Sequence, residues 1–230
     1  MGALAVGRLI DRHPVRLQLW CLLVGIVVVI AYAGRASSGK PPKNYLYTWV
    51  AVANGVVEYS VLLVFLAALA IGVSRAQLGL VRPRSWGAAL GWSIAAFVAV
   101  FVVGSILSPI LHPEREQGLT PTGWDGHRAA QFAANFAVIA LVAPVAEELT
   151  FRGVGFGLIA PYGRTLAIVA VGLAFGLAHG LVEALPILVF FGIALAWVRS
   201  RTGSVFPGMV VHAGWNAVAL LNAVHWFHAG

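Results

Sequence analysis

The sequence predicts an all-α fold, a polytopic bundle of about seven transmembrane helices. Three observations carry that prediction. Of the 230 residues, 60% are hydrophobic and only 10% are charged, with a mean hydropathy of +0.88. Soluble domains average about 45–50% apolar and about 25% charged residues, so a soluble class is excluded. The apolar residues gather into long runs, and the basic residues sit mainly at the ends of those runs. The formal net charge of +7 is therefore read as a set of topology determinants. No interleaving of aromatic and basic side chains suggests a nucleic-acid platform, so no nucleic-acid partner is expected. The single cysteine, Cys21, lies in an apolar run, which excludes an internal disulfide and a cysteine-based metal site.

Taken in order, Arg8, Arg12 and Arg16 lead into a first apolar run, Leu17–Ala33, which closes on Ala31-Tyr32-Ala33. A basic start, an apolar core and an A-x-A ending also describe a cleavable signal peptide; the length of the run favours a retained span. After a polar loop, Arg35–Asn44, the second span covers Tyr45–Val73, with Tyr45, Tyr47 and Trp49 as an interfacial belt. Glu58 lies near its middle with Asn54 one turn earlier, and is expected to be a packing residue rather than part of a site. Ser74–Ser85 is a basic loop, and Trp86–Leu111 a third span whose Gly87 and Gly91 suggest a small-xxx-small helix contact. His112–His127 is the most polar connection. A fourth span, Ala129–Ala160, is expected to tilt or break after Arg152, at Gly153, Gly155 and Gly157. Arg164–His179, Ala184–Val198 and Val205–Ala223 complete the set, and the short gap between the fifth and sixth implies that one is short or irregular.

The stretch Pro144–Gly153, PVAEELTFRG, places two glutamates and an arginine inside an apolar segment. A single charged side chain at a helix centre costs about 2.5–3.5 kcal/mol on insertion scales, and intramembrane ionisable groups usually mark function. Adjacent helix positions point about 100° apart, so Glu147 and Glu148 face different directions. Glu148 stands four residues before Arg152, the favourable order for an ion pair, which leaves Glu147 needing another partner. Phe175 and His179 share one helix face, beside a glycine seam of Gly172, Gly176 and Gly180 that would let a neighbouring helix approach closely. His212 and Asn216 share another face. A carboxylate beside an imidazole can take a proton from water, and a second imidazole with an amide N–H can stabilise an oxyanion. Peptide hydrolysis is the chemistry these groups suit.

Glu147-Glu148-x-x-x-Arg152, Phe175-x-x-x-His179 and His212-x-x-x-Asn216, in that order, resemble the CPBP intramembrane protease family, which includes the type II CAAX prenyl proteases and the bacterial Abi or bacteriocin-processing proteins. Phe151-Arg152-Gly153 and Arg201-Thr202-Gly203-Ser204 support the likeness, which spans roughly Arg128–Ala223. It implies three parts: 1–127, a tail and three variable spans; 128–223, a protease core in the C-terminal half; and 224–230, a C-terminal tail. It further implies that Glu147 activates water with His179 assisting, that His212 and Asn216 stabilise the oxyanion, that Glu148 and Arg152 support them, and that Phe175 forms a wall. Glu147, His179 and His212 would also make a His₂Glu zinc set, but HExxH is absent, so a mechanism without a cofactor is expected, zinc being the alternative.

The expected activity is an intramembrane endopeptidase acting on membrane-inserted or membrane-delivered peptides, of CAAX type or in bacteriocin and peptide processing. A non-catalytic immunity or scaffold protein of the same fold and a proton-coupled transporter are the competing classes. A transporter would show repeated halves, and no internal repeat is present. With the N-terminus inside, the inner loops hold Arg8, Arg12, Arg16, Arg75, Arg82, Arg84, Arg164, Arg199 and Arg201, against Arg35, Lys40, Lys43, Arg115 and Arg128 outside. That bias predicts a multi-pass cell-membrane protein with a cytoplasmic N-terminus and an external C-terminus.

Overall fold

The computed structural model describes residues 13–38, 42, 44–117 and 123–224. Arg8, Arg12, Lys40 and Lys43, which enter the topology argument, lie outside the described residues, as does the tail beyond Val224. Among the described residues the regular structure is entirely helical. The order is α1 (His13–Ser38), α2 (Trp49–Ala70), α3 (Trp86–Leu111), a short α4 (Pro113–Gln117), a long composite rod over Gly126–Tyr162, α8 (Arg164–Ala178), α9 (Leu185–Thr202) and α10 (Phe206–Ala223). The rod contains α5 (Ala129–Ala137), α6 (Ala143–Glu148) and α7 (Phe156–Ile159).

Of these, α1, α2, α3, the rod and α9 are long and apolar enough to cross a bilayer. Two helices fall short for reasons that bear on function. Helix α8, with 15 residues, is apolar but short, and α10 is interrupted by His212, Asn216 and Asn222. These two carry the imidazoles picked out from the sequence: His179 caps α8 at its C-terminus and His212 lies within α10.

The most apolar windows of α1, α2 and α3 bury only 11, 11 and 17% of their residues, whereas those of the rod and α9 bury 39 and 44%. The rod and α9 therefore form the centre of the bundle, and the first three helices surround it. Helices α8 and α9 approach so closely that a Cβ on Gly172 would collide with Ile193, and one on Gly176 would lie 3.0 Å from the Val189 backbone nitrogen. The third glycine of that seam, Gly180, turns instead against α1: its φ is +63°, and a Cβ there would lie 2.7 Å from Ala31. Gly87 and Gly91, by contrast, have nothing within 4 Å of an added Cβ, so the expected helix contact on α3 is not made among the described residues.

The rod does not break after Arg152. It widens instead into π-helix at Val138–Val142 and again at Leu149–Gly155, on either side of the two glutamates. Such i→i+5 turns leave backbone carbonyls short of helical partners, and they recur at functional sites. Here side chains supply the donors. Asn216 donates to the Ile139 carbonyl at 2.9 Å, the Trp20 indole to Thr150 at 2.9 Å, and Arg199 Nε to Arg152 at 3.2 Å. The rod's glycines serve close packing: a Cβ on Gly155 would meet the Trp20 ring, and one on Gly157 would lie 2.8 Å from the Gln77 carbonyl oxygen.

At one end of the bundle Tyr47 is buried, against the expectation that it joins an interfacial belt; Trp49 is exposed as expected. The Tyr47 hydroxyl donates to the Gly123 carbonyl at 2.9 Å and accepts from Asp125 N–H, so it ties the entry of α2 to the entry of the rod. Beside the Arg128 guanidinium, the half-buried Asp125 carboxyl is held below the usual carboxylate range. At the same end Glu116 is buried in the polar connection and accepts the backbone N–H groups of Val182, Glu183 and Ala184, just ahead of α9, while pairing with Arg35 at 2.8 Å. Glu116→Ala strands three donors and one guanidinium, so it is expected to cost on the order of 3 kcal/mol, read as a lower unfolding temperature in detergent. An unchanged unfolding temperature would show that the clamp contributes nothing.

Candidate active site

Three elements bring the predicted side chains together: the rod carries Glu147, Glu148 and Arg152, the end of α8 carries Phe175 and His179, and α10 carries His212 and Asn216. Glu148 and Arg152 make the i,i+4 ion pair that their spacing predicts, Nη1 to Oε1 at 2.8 Å, with both side chains fully buried. Arg152 Nη2 also donates to the Gly192 carbonyl at 3.0 Å, and its guanidinium carbon stands 4.4 Å from the centre of the Phe175 ring. Gly208 makes room for the pair from α10, where a Cβ would lie 2.6 Å from Glu148 Oε2.

Both imidazoles are oriented through Nδ1. His179 Nδ1 lies 2.8 Å from the Phe175 carbonyl oxygen. A carbonyl only accepts, so Nδ1 carries a proton and Nε2 is the ring nitrogen left to face Glu147. His212 Nδ1 lies 3.3 Å from Glu148 Oε1, again an acceptor, so the buried ion pair sets this ring as well. Phe175, buried completely, packs its ring 4.6 Å from His179 and 5.6 Å from His212, while Phe191 of α9 covers the His212 ring at 5.0 Å. The expected wall residue is thus a hub shared by both histidines and Arg152.

Glu147 leaves the helix about 100° round from Glu148 and meets the other nitrogen of the His212 ring. Its Oε2 lies 3.9 Å from His179 Nε2 and 3.7 Å from His212 Nε2, too far for direct hydrogen bonds, and, although buried, has no hydrogen-bond partner among the described residues. Its Oε1 accepts from the Tyr59 hydroxyl at 2.9 Å. Asn216 is turned towards the rod, donating one amide N–H to Ile139 and retaining a second.

Residues 129–218 match the family model described as Rce1-like, type II CAAX prenyl endopeptidase Rce1-like. This segment is Rce1-like. No curated protein and no solved structure matches the chain. The Rce1-like segment contains Glu147, Glu148, Arg152, Phe175, His179, His212 and Asn216, every side chain singled out from the sequence for a site. At family level the match is to a CAAX-type intramembrane endopeptidase, and the helical bundle agrees with it.

Two features near the candidate site were not anticipated. Phe191 gave no signal beyond being apolar. Tyr59 lies on α2, outside the matched segment, and its only mark in the sequence is a phenol next to Glu58 in an otherwise aliphatic run. Glu58 itself is exposed on α2, one residue from the tyrosine that reaches Glu147. The His₂Glu zinc alternative meets a geometric test here. Among the described residues no group of three or more His, Cys, Asp or Glu side chains is arranged to hold a metal ion. Glu147, His179 and His212 are therefore not drawn together as a metal site among the described residues.

Proposed function

We propose that this protein is an intramembrane endopeptidase that hydrolyses peptide bonds in membrane-inserted or membrane-delivered substrates. The observation that carries the reading is Glu147 Oε2, a buried carboxylate oxygen without a partner, facing the Nε2 atoms of two histidines whose Nδ1 atoms are already engaged. A water molecule at ordinary hydrogen-bond distance from Oε2 and from either Nε2 closes a triangle on those separations. In this reading Glu147 takes a proton from that water with His179 assisting, and the hydroxide oxygen bonds to the carbonyl carbon of the scissile peptide. The carbonyl oxygen becomes an oxyanion, stabilised by the imidazolium form of His212, which keeps Nδ1–H on Glu148 and donates Nε2–H to the oxygen, and by the remaining amide N–H of Asn216. The proton held on Glu147 passes to the leaving nitrogen as the C–N bond breaks. Glu148 and Arg152 act at one remove, by fixing the His212 ring.

The bilayer is the solvent of this site, and the substrate class follows: a peptide or protein presented from the membrane, of CAAX type or a processed membrane peptide. The N-inside, C-outside orientation is part of the same proposal. The test is release of product from a membrane-anchored peptide by the purified protein in lipid vesicles; no product across a diverse peptide set would sink the assignment. A second arm settles the metal. Exhaustive chelation followed by zinc add-back is expected to leave the rate unchanged, and loss on chelation with recovery on zinc would instead select the His₂Glu reading.

A further inference from the structure

The roles proposed above leave open what fixes the Glu147 carboxylate itself. The terminal torsion of a glutamate is broad and roughly two-fold, so sterics alone do not fix the plane of the carboxylate or whether an oxygen faces the histidines. Glu148, one residue on, is committed to Arg152 and His212 and points elsewhere. The hydrogen bond that holds Glu147 comes from α2, where Tyr59 donates to Oε1 at 2.9 Å, leaving Oε2 as the oxygen that faces both Nε2 atoms. A carboxylate oxygen only accepts, so the phenolic proton lies between the two groups.

A second observation explains how α2 comes near enough. Gly55 stands one turn before Tyr59 on the same face of α2, and a Cβ there would lie 2.7 Å from Val138 Cγ1, at the start of the first π segment. Val138 is β-branched and stiff, so a larger residue at 55 displaces α2 rather than the valine. Gly55 thus sets the spacing that lets the Tyr59 hydroxyl reach Glu147.

We propose that Tyr59 is a positioning residue for Glu147, donating its phenolic hydrogen to Oε1 so that Oε2 is presented to His179 and His212. The proposal rests on the assignment of Glu147 as the water-activating group. It extends the functional unit beyond the Rce1-like segment to α2, with Gly55 and Tyr59 as the means.

The experiment uses the full chain in lipid vesicles with a membrane-anchored peptide, and measures kcat, KM and the unfolding temperature. Tyr59→Phe removes one oxygen and keeps the ring. A lost hydrogen bond to a charged group predicts a fall in kcat of about 10- to 100-fold. KM is expected to stay within about twofold, because an interaction made to Glu147 alone leaves substrate binding untouched. The unfolding temperature is expected to be unchanged. Gly55→Leu, which moves α2 without touching the phenol, is expected to lower kcat in the same way. Tyr59→Phe with wild-type kcat overturns the proposal, as does a raised KM at unchanged kcat, or a loss that tracks the unfolded fraction. Glu147→Gln separates the two levels of the argument. Glu147→Gln as active as wild type sinks the functional assignment and this inference together, whereas an inactive Glu147→Gln beside a fully active Tyr59→Phe sinks the inference alone.

Discussion

Glu147→Gln is expected to lower peptide hydrolysis by about 10²- to 10⁴-fold, the usual contribution of a positioned general base, while the protein keeps its fold. The substitution is nearly isosteric, and the amide oxygen can still accept from Tyr59 as Oε1 does now. The other oxygen, Oε2, has no hydrogen-bond partner to lose. An NH₂ group in its place offers two donors towards the Nε2 atoms of His179 and His212, which lie at 3.9 and 3.7 Å and carry lone pairs when the rings are neutral. The unfolding temperature should therefore hold or rise as activity disappears. Peptide release in vesicles, measured beside thermal unfolding in detergent, checks both halves. A variant that cleaves at the wild-type rate removes Glu147 from the mechanism, and one that unfolds shows that the carboxylate is structural. The same inert but folded variant is the natural trap for substrate, because it retains every other group around the scissile bond.

How much of this was legible in the sequence divides along a physical line. Periodicity and hydropathy gave the bundle, because a bilayer forces long apolar helices, and Trp86–Leu111 appears with the bounds expected of it. The i,i+4 rule gave the Glu148–Arg152 pair and the divergent direction of Glu147, since both follow from the pitch of one helix. What could not be read was anything set by contact between helices distant in sequence. Tyr59 meets Glu147 across 88 positions, and Asn135 donates to the Leu46 carbonyl across 89. Tyr47 looks like an interfacial residue until its hydroxyl is seen bridging Gly123 and Asp125. The glycines after Arg152 suggested a break, yet they answer the Trp20 ring and the Gln77 and Leu78 carbonyls, while the helix relieves its geometry by widening into π turns. Local rules picked out the candidate side chains, and tertiary packing decided their orientation.

Arg152→Met is expected to be among the most destabilising single changes in the chain, and the reason bears on how the site is built. Arg152 is wholly buried, with one arm on Glu148, the other on the Gly192 carbonyl, and its face over Phe175. Removing it leaves a fully buried carboxylate whose remaining partner among the described residues is the His212 ring, at 3.3 Å. Breaking a buried pair from one side typically costs about 3–5 kcal/mol, because the remaining charge is uncompensated. Loss of folded protein on extraction, or a large fall in unfolding temperature, is the expected reading. Arg152→Lys should recover little, since a single ammonium cannot reproduce the two-armed contact to Glu148 and Gly192. The double variant Glu148→Leu with Arg152→Met removes both charges, and replacement of a buried pair by apolar groups is often neutral or stabilising. Its fold should therefore return. Its activity should not, because His212 Nδ1 loses the acceptor that sets the ring and aims Nε2 towards Glu147. Recovery of stability without recovery of hydrolysis would show that the buried pair serves the orientation of His212. Recovery of both would place the pair outside the mechanism.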